Sequence, residues 1–266
     1  SNVYKKAEIK EYVRSVKNKL RQIFEEDESE KIKTYTKRYD DNKGGRMWCN
    51  DTIQNMERNI RSFIQKEGMC DYDMSNAQPT ILLWLYKKYD LPNTWLKMYI
   101  EDRENILAQA KMTKLDVIKL FNIAQPTHTK SGEIKQMIQE FVSNRFIILK
   151  ENQDRIKDHK KHDGCKMNNI LCNYENEILI SVLDKIPDKD KISTLLFDGF
   201  YYLGDLDIEW LNSITKEYEL KWTSKSMDTI YNIPDDFDWD EIKDVKTYKE
   251  QKKQFEKEAV LLKDVG

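Results

Sequence analysis

The sequence predicts an α+β protein, mostly helical with one small antiparallel sheet, and three observations predict it. Apolar residues recur at three- and four-residue spacing over most of the chain, the period of one helix face. The segment STLLFDGFYYLGD, 193–205, breaks that period with a short apolar run, an Asp-Gly tip and an aromatic run, which together signal a β-hairpin. MCDYDMS, 69–75, reads as a short strand feeding a helix.

In chain order, residues 4–33 place Ile9, Tyr12, Val16, Leu20 and Ile23 on one side of a Lys/Glu-rich amphipathic helix. Asp40–Gly45 is a turn, and 52–65 puts Ile53, Met56, Ile60 and Ile64 on one helical face beside Arg58 and Arg61. After the strand, Asn76 opens a helix through Lys88 that tolerates Pro79 in its first turn. Trp95–Ala110, Lys114–Ile123, Glu133–Asp158 and Lys166–Leu183 continue as helices, with Pro126 a stop and KDHKKHDGCK a polar break. Beyond the hairpin, 206–218 is helical, 220–223 an edge strand, and an acidic stretch from Asp235 leads into a charged terminal helix. No internal repeat is visible.

A chain of 266 residues with 39% hydrophobic content, six Trp and fourteen Tyr can bury a core, which excludes a disordered composition. Its 45 basic and 47 acidic side chains nearly cancel, but segregation into a basic cleft and acidic outer faces leaves nucleic acid open as a partner. Cys49, Cys70, Cys165 and Cys172 lack zinc-site spacing, so reduced thiols and an intracellular setting are expected. His128, His159 and His162 form no ligand set, and neither a membrane span nor a signal peptide is read.

Two acidic strand ends, CDYDMS and LFDGF, are separated by a long helical stretch. Carboxylates from different strands are what phosphoryl transfer on two Mg²⁺ ions requires, because a hard cation takes a few carboxylates plus phosphate oxygens. Asp73 and Asp198 are the candidate catalytic metal ligands. Asp71, two residues before Asp73, shares its strand face and is a third acidic candidate. Read alone, Asp71 and Asp73 are more simply helix caps and Asp198 a hairpin residue.

Taken together, these segments resemble the polymerase module of family A DNA polymerases, related to bacterial DNA polymerase I. GGRMWCNDTIQN resembles the family's Gly-Arg segment followed by Leu-Gln-Asn, and NIRSFI its Ile-Arg-x-x-Phe. DMSNAQPTILLWL resembles motif A, KLFNIA the Lys-led start of motif B, and LLFDGFYYL motif C. The style is that of compact, divergent domains of virophages and mobile elements, often joined to a superfamily 3 helicase. The resemblance implies a palm sheet with two catalytic Asp, helical fingers and a reduced thumb. The divisions are 1–40 thumb-like, 41–94 palm with the Gly-Arg segment and motif A, 95–165 fingers, 166–232 palm with motif C, and 233–266 a tail or linker.

It further implies primer–template DNA and deoxynucleoside triphosphates as substrates, two Mg²⁺ ions with Mn²⁺ as a substitute, and a helicase domain or subunit as partner. Lys119 would hold the triphosphate, with Lys114 and Arg103 as weaker candidates. Gln78 stands where the family carries a Glu that walls off the sugar. Arg46, Gln54, Arg61, Asn168 and Asn169 would contact nucleic acid, Arg46 in the minor groove. The chain departs from the family pattern at Ile123, Ala124, Thr127 and Pro126 in motif B, and at Phe197 and Gly199 around the motif C Asp. Template-directed DNA polymerisation is therefore the expected activity. The alternatives are a primase-like or ribonucleotide-tolerant polymerase, a catalytically silent nucleic-acid-binding module of a replication protein, or an all-helical interaction domain.

Overall fold

A computed structural model of the chain describes residues 14, 36–37, 45–48, 54, 61, 65, 68–124, 132–156 and 158–227. Most of the helix read over 4–33 and of that over 52–65, most of the segment 1–40, the segment 233–266, and Pro126, Thr127 and His128 lie outside the described residues. The chain divides into two compact units, one of Ser1–Lys33, Asn50–Gln65 and Asp228–Gly266, the other of Thr34–Cys49 and Lys66–Met227. In the first, Arg61 is helical and half-buried, and Gln54 is buried in a 3-10 turn. The rest of the architecture belongs to the second.

Its strands are β1 (Thr36–Lys37), β2 (Met47–Trp48), β3 (Met69–Ser75), β4 (Ile192–Leu195), β5 (Gly199–Leu203) and β6 (Lys221–Ser226). β1 and β2 pair with each other, and the other four form an antiparallel sheet in the order β4-β5-β3-β6. Its helices are α1 (Ala77–Lys88), α2 (Thr94–Glu101), α3 (Arg103–Ala110), α4 (Lys114–Asn122), α5 (Glu133–Glu151), α6 (Asp163–Lys185) and α7 (Ile208–Ile214). Mostly helical α+β, with a small antiparallel sheet, is thus the observed fold class, and the all-helical alternative is excluded.

Period-two alternation divides the sheet into two faces. Tyr72 and Met74 of β3, Phe200 and Tyr202 of β5 and Trp222 of β6 join the helical core. Tyr72 stacks on Phe200 at 5.5 Å, and Phe200 meets Trp222 at 5.7 Å. On the opposite face Met69, Tyr201 and Met227 make a separate small cluster, and Asp71 and Asp73 share that side by alternation. Within the helical layer α1 is buried almost all round, as its run AQPTILLWLY requires. α5 and α6 carry their apolar stripes inward, and Phe121 of α4 contacts Phe141 of α5 at 5.0 Å.

Several boundaries differ from the sequence reading. The helix read over 95–110 is two, broken at Asp102, whose φ of −130° and ψ of 41° leave the helical region. The helix read to Asp158 ends at Glu151, because the Asn152 amide turns back onto the Ile148 carbonyl at 2.8 Å and accepts from the Tyr174 hydroxyl at 2.8 Å. α6 begins earlier, at Asp163, where the His162 ring accepts from the Cys165 N–H at 3.3 Å, so the polar break contains its own helix start. The helix read over 206–218 is reduced to α7 plus a 3-10 turn at Lys216–Tyr218, and the edge strand runs on to Ser226.

Two glycines are required by close backbone approach. A Cβ at Gly164 would lie 2.3 Å from the Asn122 carbonyl oxygen, where α6 meets the end of α4. A Cβ at Gly199 would lie 2.1 Å from the Tyr72 carbonyl oxygen, across the β3–β5 pairing. Gly199→Ala should therefore force those strands apart, lowering stability by about 2 kcal/mol or more in urea unfolding. Unchanged stability would contradict this close pairing.

Candidate active site: a carboxylate pair on adjacent strands

β3 ends its acidic run beside the tip of the β4–β5 hairpin. Asp73 is paired in register with Gly199, and the Met74 N–H donates to the Asp198 carbonyl at 2.9 Å. The turn is closed by the Leu196 N–H donating to the Gly199 carbonyl at 2.8 Å, which fixes Phe197 and Asp198 at its apex. Two strand pairings thus place Asp73 next to Asp198 across chain positions far apart. The carboxyl of Asp73 is pushed up to about 7 by burial first, then by the charges of Asp198 and Asp71, with Lys114 opposing.

Behind this pair stands an ion pair between a buried carboxylate and a half-buried guanidinium. Glu175 of α6 is 1% exposed and accepts from Arg46 Nε at 2.6 Å. The Arg46 guanidinium lies over the Phe197 ring, 4.8 Å from its centroid. The Gly45 N–H donates to Asn173 Oδ1 at 3.0 Å, so the Gly-Arg segment is tied to α6 by backbone as well as side chain. Burial works against the Arg46 charge, yet Glu175, Cys172 and Asp198 together hold its pKa above the ordinary value. Glu175 is pushed up to about 7, burial outweighing Arg46, with Asp198 adding to the rise and Lys114 opposing it.

The structure gathers Asp71, Asp73, Asp198, Arg46 and Lys114 around one place. Lys114, at the exposed start of α4, acts electrostatically on both Asp73 and Glu175. Lys119 does not join them: its side chain is 75% exposed and its nearest carboxylate is Asp116, at 4.0 Å. Arg103 instead donates to Asn76 Oδ1, just past β3, and pairs with Glu104. Gln78 is buried in the first turn of α1, its amide donating to Cys172 Sγ at 3.9 Å, and Cys172 in turn reaches Asn168 Oδ1 at 3.6 Å. Asn169 is half-buried one turn before Asn173, whose amide donates to its carbonyl at 2.8 Å. Gln54 and Arg61 belong to the other unit.

Glu175 and Asn173 are missed by the sequence reading, and Phe197 enters it only as a departure from the family pattern. A signal existed for Glu175: it interrupts the stripe Met167, Leu171, Leu179, Val182 at a position where a helix facing a core should be apolar. A charge there is retained only if a partner is buried with it.

The donor set fits a hard divalent cation. Among the described residues no three His, Cys, Asp or Glu side chains converge on a metal-sized site. Mg²⁺, however, is bound through one or two carboxylates plus substrate phosphates, and a crowded carboxyl pair is what such a charge relieves.

No family model matches the chain, and no solved structure matches it. Among curated proteins it is similar to the Sputnik virophage protein named "Putative helicase V13", 26% identical over 183 residues. That match covers 58% of this chain and 23% of the virophage protein, so the chain spans under a quarter of its relative's length.

Removing Arg46 leaves Glu175 buried without its cation. Arg46→Ala should cost about 3–5 kcal/mol near pH 8. The Glu175 pKa is already raised from 4.5 to about 7, so the folded state holds a proton that the unfolded state releases, and stability falls as pH rises through that window. The variant should widen the window and lose more stability between pH 5 and 8 than the wild type, read by urea unfolding across pH. A deficit independent of pH would contradict this arrangement.

Proposed function

We propose that this chain is a template-directed DNA polymerase domain, extending a primer by phosphoryl transfer in the replication of a viral or mobile genetic element. The observation that carries the reading is the meeting of Asp73 on β3 with Asp198 at the apex of the adjacent β4–β5 turn. In this reading the four-stranded sheet is the palm, the helices within 95–165 are the fingers, and 1–40 is the reduced thumb. Asp73 and Asp198 would hold Mg²⁺ or Mn²⁺, which when bound supplies Lewis-acid stabilisation of the phosphate oxygens. Lys114, whose charge already reaches the acidic pair, is better placed than Lys119 to neutralise an incoming triphosphate. Arg46 is held by Glu175 and Phe197, so its contribution to nucleic-acid contact is a fixed guanidinium beside the hairpin tip.

The virophage relative carries "helicase" in its name and is much longer than this chain, which supports a helicase domain or subunit as partner. No helix among the described residues is long and apolar enough to cross a membrane. A ribonucleotide-tolerant version is favoured by Gln78, which is buried against Cys172 at the position resembling the family's sugar-excluding Glu.

The test is extension of a labelled DNA primer on a longer template with Mg²⁺ or Mn²⁺, deoxy- and ribonucleotides supplied separately. Wild-type protein should extend the primer, and Asp73→Asn and Asp198→Asn should each lower the rate about 10³-fold, some 4 kcal/mol of barrier. Extension unaffected by either change would sink the two-carboxylate mechanism. Salt-sensitive primer–template binding without incorporation would leave a silent binding module.

A second prediction concerns the cation. Asp73 titrates near 7, and only its ionised form binds a cation well, so Mn²⁺ affinity should rise from pH 6 to pH 8 and level off above that. Calorimetric titration of the wild type should show this slope and Asp73→Asn should flatten it. Equal slopes in both proteins would place the cation elsewhere.

A further inference from the structure

β6 lies on the far side of β3 from the hairpin, and its register against β3 is fixed over six residues: Lys221 opposes Ser75, Thr223 opposes Asp73, and Lys225 opposes Asp71. Directly opposed residues in an antiparallel pair project to the same face. Lys221, Thr223 and Lys225 therefore stand on the face that carries Asp71 and Asp73, and all three are exposed. Trp222, between them, turns to the other side, is 2% exposed and packs into the core against Phe200. That anchor fixes the direction of its neighbours.

The strand is also held along its backbone. The Trp222 N–H donates to Asn212 Oδ1 at 2.8 Å, and the Trp222 indole N–H to Thr215 Oγ1 at 3.3 Å. The Thr223 hydroxyl donates to the Asp73 carbonyl at 3.3 Å, joining β6 to the acidic strand at the candidate site itself. One outer N–H of the strand is thus already paired with α7, and a partner on the face meets the side chains. Those side chains are cationic, and neither Lys221 nor Lys225 has a carboxylate partner among the described residues. Other lysines of this unit, such as Lys87, Lys189 and Lys191, do pair with acidic groups.

We infer that β6 is a rail for the phosphodiester backbone of a nucleic-acid strand, with Lys221 and Lys225 as its two cationic contacts. The inference rests on the reading of Asp73 and Asp198 as a site of phosphoryl transfer, since the bound strand is the one that ends there. At about 3.3 Å per residue the two lysine positions are roughly 13 Å apart along the strand, which matches about four nucleotide steps at 3.4 Å of axial rise. Contacts of this kind hold a strand in register without reading its sequence. Lysines on an outer strand also serve to discourage edge-to-edge pairing, and that role would leave DNA binding untouched.

Salt dependence separates the two. Each phosphate contact contributes about 0.9 to the slope of log affinity against log salt on duplex DNA. Anisotropy of a labelled primer–template between 50 and 200 mM KCl should therefore show a slope shallower by about 2 in Lys221→Ala/Lys225→Ala, with weaker binding at 50 mM on every sequence tried. Lys221→Arg/Lys225→Arg should keep the wild-type slope, and the thermal midpoint of each variant should match the wild type, as expected for exposed side chains. A double alanine variant with unchanged slope and affinity would overturn the rail while leaving the polymerase reading in place. Wild-type protein that binds no primer–template would overturn both.

Discussion

Two like charges held together are the constraint on which the rest of this structure depends. Asp73 and Asp198 meet because β3 and β5 approach so closely that only glycine fits at position 199, and a hairpin of minimal length leaves Asp198 no other place. Such a pair is unfavourable without compensation. The surroundings supply part of it: Lys114 from α4 acts on Asp73, and the Arg46 guanidinium lies between the hairpin Phe197 and the buried Glu175. Stability and site are thereby linked, since the groups that hold the hairpin tip also set the field in which Asp73 ionises.

α6 is the member that makes this possible. It runs through the core with Met167, Leu171, Leu179 and Val182 buried, and also carries the polar or sulfur-bearing Asn168, Cys172, Asn173 and Glu175. Those groups fix Gly45, Arg46 and Gln78, which belong to distant parts of the chain. The amide of Asn176, 1% exposed, has no partner among the described residues on either atom, and neither has Gln78 Oε1. Unsatisfied buried amides are costly.

Much of this was legible in the sequence, for local reasons. MCDYDMS alternates, LFDGFYY carries its own turn, and the helix from Ala77 has an apolar run bounded by a strand and a basic last turn, so these elements were readable from a few residues each. The two aspartates were found because each sits at the end of such an element. What was illegible is tertiary. No local pattern announces that Asn152 stops α5 by bonding Tyr174, or that Asp102 breaks a continuous helical period. Lys119 and Lys114 look alike on one helix in sequence, and only packing shows that Lys114 faces the acidic pair. The binding rail on β6 was read as a mere edge strand, because its meaning lies in the register with β3.

The central claim is that the carboxylate pair performs templated phosphoryl transfer, and single-nucleotide incorporation under single-turnover conditions tests it most directly. Four primer–templates differing only in the first unpaired template base are each offered one nucleoside triphosphate at a time. The account predicts that incorporation follows the complementary base on every template. Addition regardless of the template base, or no addition with any of the four, would contradict it.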